Sequence, residues 1–131
     1  MTLLHFDTNA LIALPLWARD GHPVVQRVLG GEAVAVSTIV WYEFLIGPLE
    51  PREAGLARAF IQGRIVEMNE ADAELAAELF NTTGRQRTLK TDALIAAAAI
   101  RAAAELVTLN QADFLPFAEQ GLRLFDGGRS L

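Results

Sequence analysis

Asp7, Glu43 and Asp92 are the residues whose types and positions could do chemistry in this sequence. Each stands where a strand-like apolar run gives way to a helix-like one. Asp7 follows Leu3-Leu4-His5-Phe6 and precedes Thr8-Asn9-Ala10-Leu11-Ile12. Glu43 comes just past the apolar run 33–36, and Asp92 opens a long apolar helix over 93–104. In an open parallel sheet, residues beyond the carboxyl ends of the strands converge on one crevice. Carboxylates gathered there repel one another strongly unless a cation sits between them. All-oxygen donors suit a hard divalent cation such as Mg²⁺, which keeps several of its waters. Such an ion lowers the pKa of a bound water and stabilises charge on a phosphoryl oxygen, and two ions can serve the attacking and leaving oxygens of a phosphodiester together. Thr8 and Asn9 are placed to orient Asp7 by hydrogen bonds. Each acid also has a plainer reading. Asp7 and Asp92 are good helix caps, and Glu43 can be a solvated position on a helix made apolar by Trp41, Phe44, Leu45 and Ile46.

Alternating elements must position these acids. Short apolar runs at 3–6, 33–36, 64–68 and 106–109 read as strands, with a fifth at 122–125. Between them lie helical patterns. One begins at Asp7-Thr8-Asn9 and is broken or bent at Pro15. Another starts at Pro23 and ends at Gly30-Gly31. Ser37 or Thr38 caps the helix of Glu43, which stops at Gly47-Pro48, and a further helix follows Pro51. Asn69 or Asp72 starts a helix that weakens at 81–84. Thr91 caps the alanine-rich helix carrying Asp92, and 110–116 is a loop or short helix. Strand and helix in alternation predict an α/β fold with a parallel sheet covered on both faces.

The 131 residues read as a single domain, and 52% hydrophobic against 21% charged residues gives a folded chain with a real core. A net charge of −5 argues against a surface that coats nucleic acid. It leaves room for a nucleic-acid enzyme, because metal bound to a carboxylate cluster reverses the local sign. The lack of cysteine excludes disulfides and thiolate metal sites. No secretory signal and no membrane-length apolar run is visible, so a soluble, cytoplasmic protein without membrane partners is expected.

Four segments together carry a resemblance. Phe6-Asp7-Thr8-Asn9-Ala10-Leu11-Ile12, Tyr42-Glu43-Phe44-Leu45-Ile46-Gly47, Thr91-Asp92-Ala93-Leu94-Ile95-Ala96-Ala97 and Leu106-Val107-Thr108-Leu109-Asn110-Gln111-Ala112-Asp113-Phe114 resemble, in order, the four motifs of the PIN-domain family. The chain is also similar in length to the VapC toxins of bacterial VapBC toxin–antitoxin systems. The resemblance implies an α/β/α sandwich around a central parallel sheet. It implies Mg²⁺- or Mn²⁺-dependent cleavage of RNA, with Asp7, Glu43 and Asp92 as metal-binding acids. It also implies a cognate VapB-like antitoxin and a homodimer. The fourth motif usually supplies another acid. Here Asn110 stands in that position, with Asp113 three residues on, and either could complete the site. An amide offers an oxygen but no charge.

Arg85, Arg87 and Lys90 form the densest positive run, either a rim that steers RNA phosphates or a solvated helix end. His5 and His22 read as packing and turn residues. Trp17 and Trp41 read as packing residues, with base stacking as the alternative. Leu11, Leu14, Leu16 and Trp17 could form an apolar edge for a partner helix, such as an antitoxin segment. Two other functions compete with the metal-dependent ribonuclease. A phosphatase with an aspartyl nucleophile usually needs Asp-x-Asp where this chain has Asp7-Thr8-Asn9. A non-catalytic module of the same fold, binding RNA or protein, is favoured by Asn110 alone.

Overall fold

The computed structural model describes residues 3–125. The elements run β1 (Leu3–Phe6), α1 (Thr8–Asp20), α2 (Pro23–Leu29), β2 (Ala33–Ser37), α3 (Thr38–Leu45), α4 (Pro51–Phe60), β3 (Ile65–Val66), α5 (Glu70–Thr82), α6 (Lys90–Arg101), β4 (Glu105–Val107), α7 (Gln111–Ala118) and β5 (Arg123–Leu124), with a short 3₁₀ turn Arg87–Leu89 before α6. The strands form one five-stranded sheet in the order β3-β2-β1-β4-β5. Every pairing is parallel, with Leu4 opposite Val34 on one side and Glu105 on the other. A parallel neighbour requires a crossover, and each crossover here carries helix. The expected α/β sandwich with a central parallel sheet is the observed fold.

The strand order places β1 at the centre. The chain winds from β1 outward through β2 to β3, then returns to β4 on the other side of β1 and continues to β5. The order reverses between β1 and β4, and the carboxyl ends of strands at such a reversal open into a crevice. Asp7 is the first residue beyond β1. Its N–H donates to the Val107 carbonyl of β4 at 3.1 Å, so the crevice begins at this residue.

Alternation along β1 serves two layers. Phe6 points to the side of α1 and α4, where its ring meets Trp17 at 6.3 Å and Phe60 at 5.9 Å between centroids. His5 points to the opposite face, where the Asp72 charge on α5 acts on it. Its Nε2 has no hydrogen-bond partner among the described residues, and burial lowers its pKa to about 4. α6 packs against both α5 and α7 on the second layer. Ala93, Ala96, Ala97 and Ala99 of α6 are buried, and side chains this small let a helix lie close to its neighbours. α6 also touches α3, which joins the two layers near the crevice.

Caps follow the sequence signals in most places. Ser37 caps α3 through Val40 N–H at 3.4 Å. Asn69 and Asp72 both serve α5, in a reciprocal capping box at 2.9 and 3.1 Å. Asp72 also accepts from Arg101 Nε at 2.8 Å, tying α5 to α6. His22 caps α2 through Val24 N–H at 3.1 Å and stacks on Trp17.

Some expectations differ from the structure. Pro15 does not end α1, which continues to Asp20 and is closed by Gly21 at φ 71°. The strand expected over 64–68 shortens to Ile65–Val66, and that over 106–109 moves to Glu105–Val107. The last strand is the pair Arg123–Leu124. Pairing partners, rather than local composition, set those limits. The 110–116 segment is helical through Ala118 with Pro116 inside. The alanine-rich helix starts at Lys90, ahead of Thr91, because the 3₁₀ turn leads directly into it. Leu11, Leu14 and Trp17 are core residues, and of that expected apolar edge Leu16 alone is exposed.

Phe6 is 1% exposed and joins β1 to two helices of one layer. Phe6→Ala should destabilise the fold by about 3–5 kcal/mol, the usual cost of emptying an aromatic core site. Chemical denaturation checks this, and a loss under about 1 kcal/mol would mean that the core collapses readily around the gap.

Candidate metal centre

Asp7 supplies the buried floor of the crevice, at 4% exposure. It caps α1, with Oδ1 accepting from Ala10 N–H at 2.9 Å. Its other oxygen, Oδ2, accepts a hydrogen bond from the Thr108 hydroxyl. The Thr108 oxygen in turn accepts from Asn110 N–H at 2.9 Å. That incoming bond fixes the direction of the hydroxyl and leaves its proton for Asp7. The residue after β4 therefore aims the carboxylate at the end of β1.

Thr8 orients a different acid from the one expected. Its hydroxyl donates to Glu43 Oε1 at 2.6 Å, so it positions Glu43 while Thr108 positions Asp7. Asn9 lines the cavity, while the side-chain hydrogen-bond partners of Asp7 are Ala10 and Thr108. Thr108 was the supporting residue missed in the sequence. A hydroxyl two positions before the fourth-motif polar residue was a usable signal, but its partner lies 101 residues away in the chain.

Asp7, Thr8, Asn9, Glu43, Asp92 and Asn110 line one cavity of about 340 Å³, with Ile46 and Ile95 as its apolar wall. The β1–α1 junction, α3, α6 and the segment after β4 each contribute. Asp113 is exposed on α7 and outside this lining. It remains close enough to act on Asp92, and its charge there outweighs those of Asp7 and Glu43. Arg85, Arg87 and Lys90 are exposed and also outside the lining. Arg85 is drawn back over the Phe80 ring and onto Asn81.

Acid crowding appears in the titration of these groups. Burial, then the charges of Asp113, Asp7 and Glu43, raises the Asp92 pKa from 3.8 to about 6. Burial also raises that of Asp7, opposed by the hydrogen bonds from Thr108 and Ala10 and reinforced by Glu43. The donor set consists of carboxylate, amide and hydroxyl oxygens, which suits a hard divalent cation. Among the described residues, no three acid or imidazole groups are gathered tightly enough to hold an ion as they stand. Uncompensated carboxylates keep apart, so loading would draw these side chains inward.

The sequence model of the PIN domain family matches residues 5–118, which include all four candidate motifs. The chain belongs to the PIN domain family. Its solved relatives agree in fold. The FitAcB structure from Neisseria gonorrhoeae superposes with a TM-score of 0.70 at 20% identity, over 96% of this chain and 99% of that one. VapBC-1 from nontypeable Haemophilus influenzae gives 0.71 at 21%, over 98% and 100%. A toxin–antitoxin complex from Klebsiella pneumoniae gives 0.65 at 27%, over 88% and 91%. No curated protein sequence matches the chain significantly. PIN domains are generally nucleases, and no helix among the described residues is long and apolar enough to cross a membrane.

Two outcomes follow from these contacts. Thr108→Val keeps the shape of the side chain and removes the hydroxyl that aims Asp7. Mn²⁺ affinity measured by calorimetry should drop about 10–100-fold, as for other supporting hydrogen bonds, and Thr108→Ser should restore it. The second concerns pH. Asp92 binds its proton more tightly in the folded state, so its contribution to stability falls as pH rises from 3.8 to about 6. His5, lowered from 6.5 to about 4, contributes with the opposite sign over much of that window. The comparison that isolates Asp92 is therefore with Asp92→Asn. Metal-free Asp92→Asn should gain stability relative to wild type between pH about 4 and about 6, and saturating Mg²⁺ should shrink the gain. Thermal melts across that range check both points.

Proposed function

We propose that this PIN-domain protein is a metal-dependent endoribonuclease, the toxin component of a type II toxin–antitoxin pair acting in the cytoplasm. The observation that carries the reading is the convergence of Asp7, Glu43, Asp92 and Asn110 on one cavity. Asp7, Glu43 and Asp92 would hold Mg²⁺ or Mn²⁺ there, with the Asn110 amide oxygen on the fourth side. When bound, the ion supplies an activated water and stabilises charge on the scissile phosphate.

The protein's own contribution is orientation. Thr108 and Ala10 fix both oxygens of Asp7, and Thr8 fixes one oxygen of Glu43. Asp7 and Glu43 are thereby held at the wall of the cavity that would take the ion. No side-chain nucleophile is required. Asp113 adds negative charge beside Asp92 and supports the site from outside. Arg85, Arg87 and Lys90 precede Asp92 on the exposed approach and would draw in the RNA backbone.

A second surface supports the toxin reading. α1 and α4 border a mainly apolar groove of about 260 Å³, lined by Ile12, Pro15, Leu49, Leu56 and Phe60 among others. Ile12 and Leu56 are well exposed. A groove of this kind takes the apolar face of an amphipathic helix, here a segment of a VapB-like antitoxin. The similar structures from Klebsiella pneumoniae and Haemophilus influenzae are a toxin–antitoxin complex and VapBC-1. Exposed apolar side chains elsewhere are consistent with a homodimer.

The test is cleavage of a mixed cellular RNA pool by purified protein, with Mg²⁺ or Mn²⁺ and with EDTA. Discrete fragments should form with metal and disappear with EDTA. Asp7→Asn should lower the rate by more than the roughly 10–100-fold that loss of a supporting hydrogen bond costs. Intact RNA after incubation of well-folded protein with either metal would sink the enzyme reading in favour of a binding module.

A further inference from the structure

Ile46 belongs to two surfaces at once. It lines the carboxylate cavity, yet it is 66% exposed. Four residues earlier on α3, Tyr42 is 59% exposed, and Leu45 beside them is 45% exposed. Residues four apart on a helix share a face, with side chains about 5–6 Å apart. Tyr42 and Ile46 therefore form a continuous apolar strip running out of the cavity, and Glu43 on the next residue turns into it. Among the described residues, the Tyr42 ring meets no other ring and its hydroxyl has no partner. This contrasts with its neighbour Trp41, which stacks on Phe44 and lies under Arg58. A ring placed for core packing would be buried as Trp41 partly is.

From this strip we infer that Tyr42, backed by Ile46, is a stacking platform for the nucleobase next to the phosphate held in the cavity. The inference rests on the ribonuclease reading of the same cavity. The step from one helical turn to the next matches the reach from a phosphate to its own base. Every base offers a π-face, so a tyrosine grips single strands with little regard to sequence. In a duplex those faces are covered by neighbouring bases and cannot reach the ring. Among the described residues, the cavity lining holds no cation and no aromatic ring. The apolar strip is the part of this rim that offers a stacking surface.

The experiment uses a short single-stranded oligoribonucleotide carrying one 2-aminopurine, whose fluorescence is quenched on stacking, with the full-length protein in Mg²⁺. Wild type and Tyr42→Phe should quench the probe and cut it at similar rates. Tyr42→Ala should lose the quench and bind and cut the single strand roughly tenfold less well, the scale of one base–aromatic stack, with an unchanged melting temperature. A duplex of the same sequence should bind poorly to all three. Tyr42→Ala matching wild type in quench and rate would overturn the platform while leaving the ribonuclease reading intact. A shift of Tyr42→Ala from dimer to monomer in sedimentation, with the quench retained, would also overturn it and assign the strip to a second copy of the chain. Failure of the wild type to bind or cut any RNA would overturn both readings.

Discussion

Burial of a carboxylate at the reversal of strand order is the constraint on which this structure turns. Asp7 must stand at the end of β1, and β1 is the central strand. Its position fixes its burial, and burial together with nearby acids makes its charge costly. The fold answers with two hydrogen bonds onto Asp7, one from the first turn of α1 and one from Thr108 beyond β4. Backbone pairing of Asp7 with Val107 brings Thr108 within reach. The sheet and the acid are thus held by the same junction. Thr8, the next residue, extends the arrangement to Glu43.

The two helical layers divide the remaining work. On one side Phe6, Trp17 and Phe60 lock β1 to α1 and α4. On the other, the alanines of α6 allow close packing against α5 and α7. Contact between α3 and α6 closes the sandwich near the crevice, where those helices present Glu43 and Asp92. Apolar burial supplies the rigidity, and the polar cavity uses it. A cluster of like charges persists only where packing around it holds the backbone in place.

Much of this arrangement was legible in the chain. The runs ending at Phe6 and at Val36 read as strands because they are short, apolar and followed by capping residues. The helix of Glu43 read equally well from its cap at Ser37 or Thr38 and its stop at Gly47-Pro48, and that of Asp92 from its alanine-rich run. Where local signals misled, a distant partner had decided the matter. Leu11, Leu14 and Trp17 suggested an exposed edge but belong to the buried core cluster. Pro15 suggested a break, but α1 continues past it. Asp113 competed with Asn110 for the fourth position. Asn110 lines the cavity, while Asp113 on α7 is exposed and acts on Asp92 through its charge.

The alternation of elements and the parallel α/β class follow from the local pattern of the chain, as does the strand–helix junction at Asp7, whereas Glu43 lies inside α3 and Asp92 follows a 3₁₀ turn. The alternation and the junction rest on local periodicity and on neighbours a few residues apart. Tertiary contacts settled which hydroxyl serves which acid and raised the pKa values of Asp7 and Asp92 through burial. They also decided which apolar residues stay in solvent. Thr8 and Glu43 are 35 residues apart, and Asp7 and Thr108 are 101 apart. Such pairs meet only after the crossovers have set the strand order. The energies of the site depend on distance and burial in space, and no local pattern along the chain encodes either.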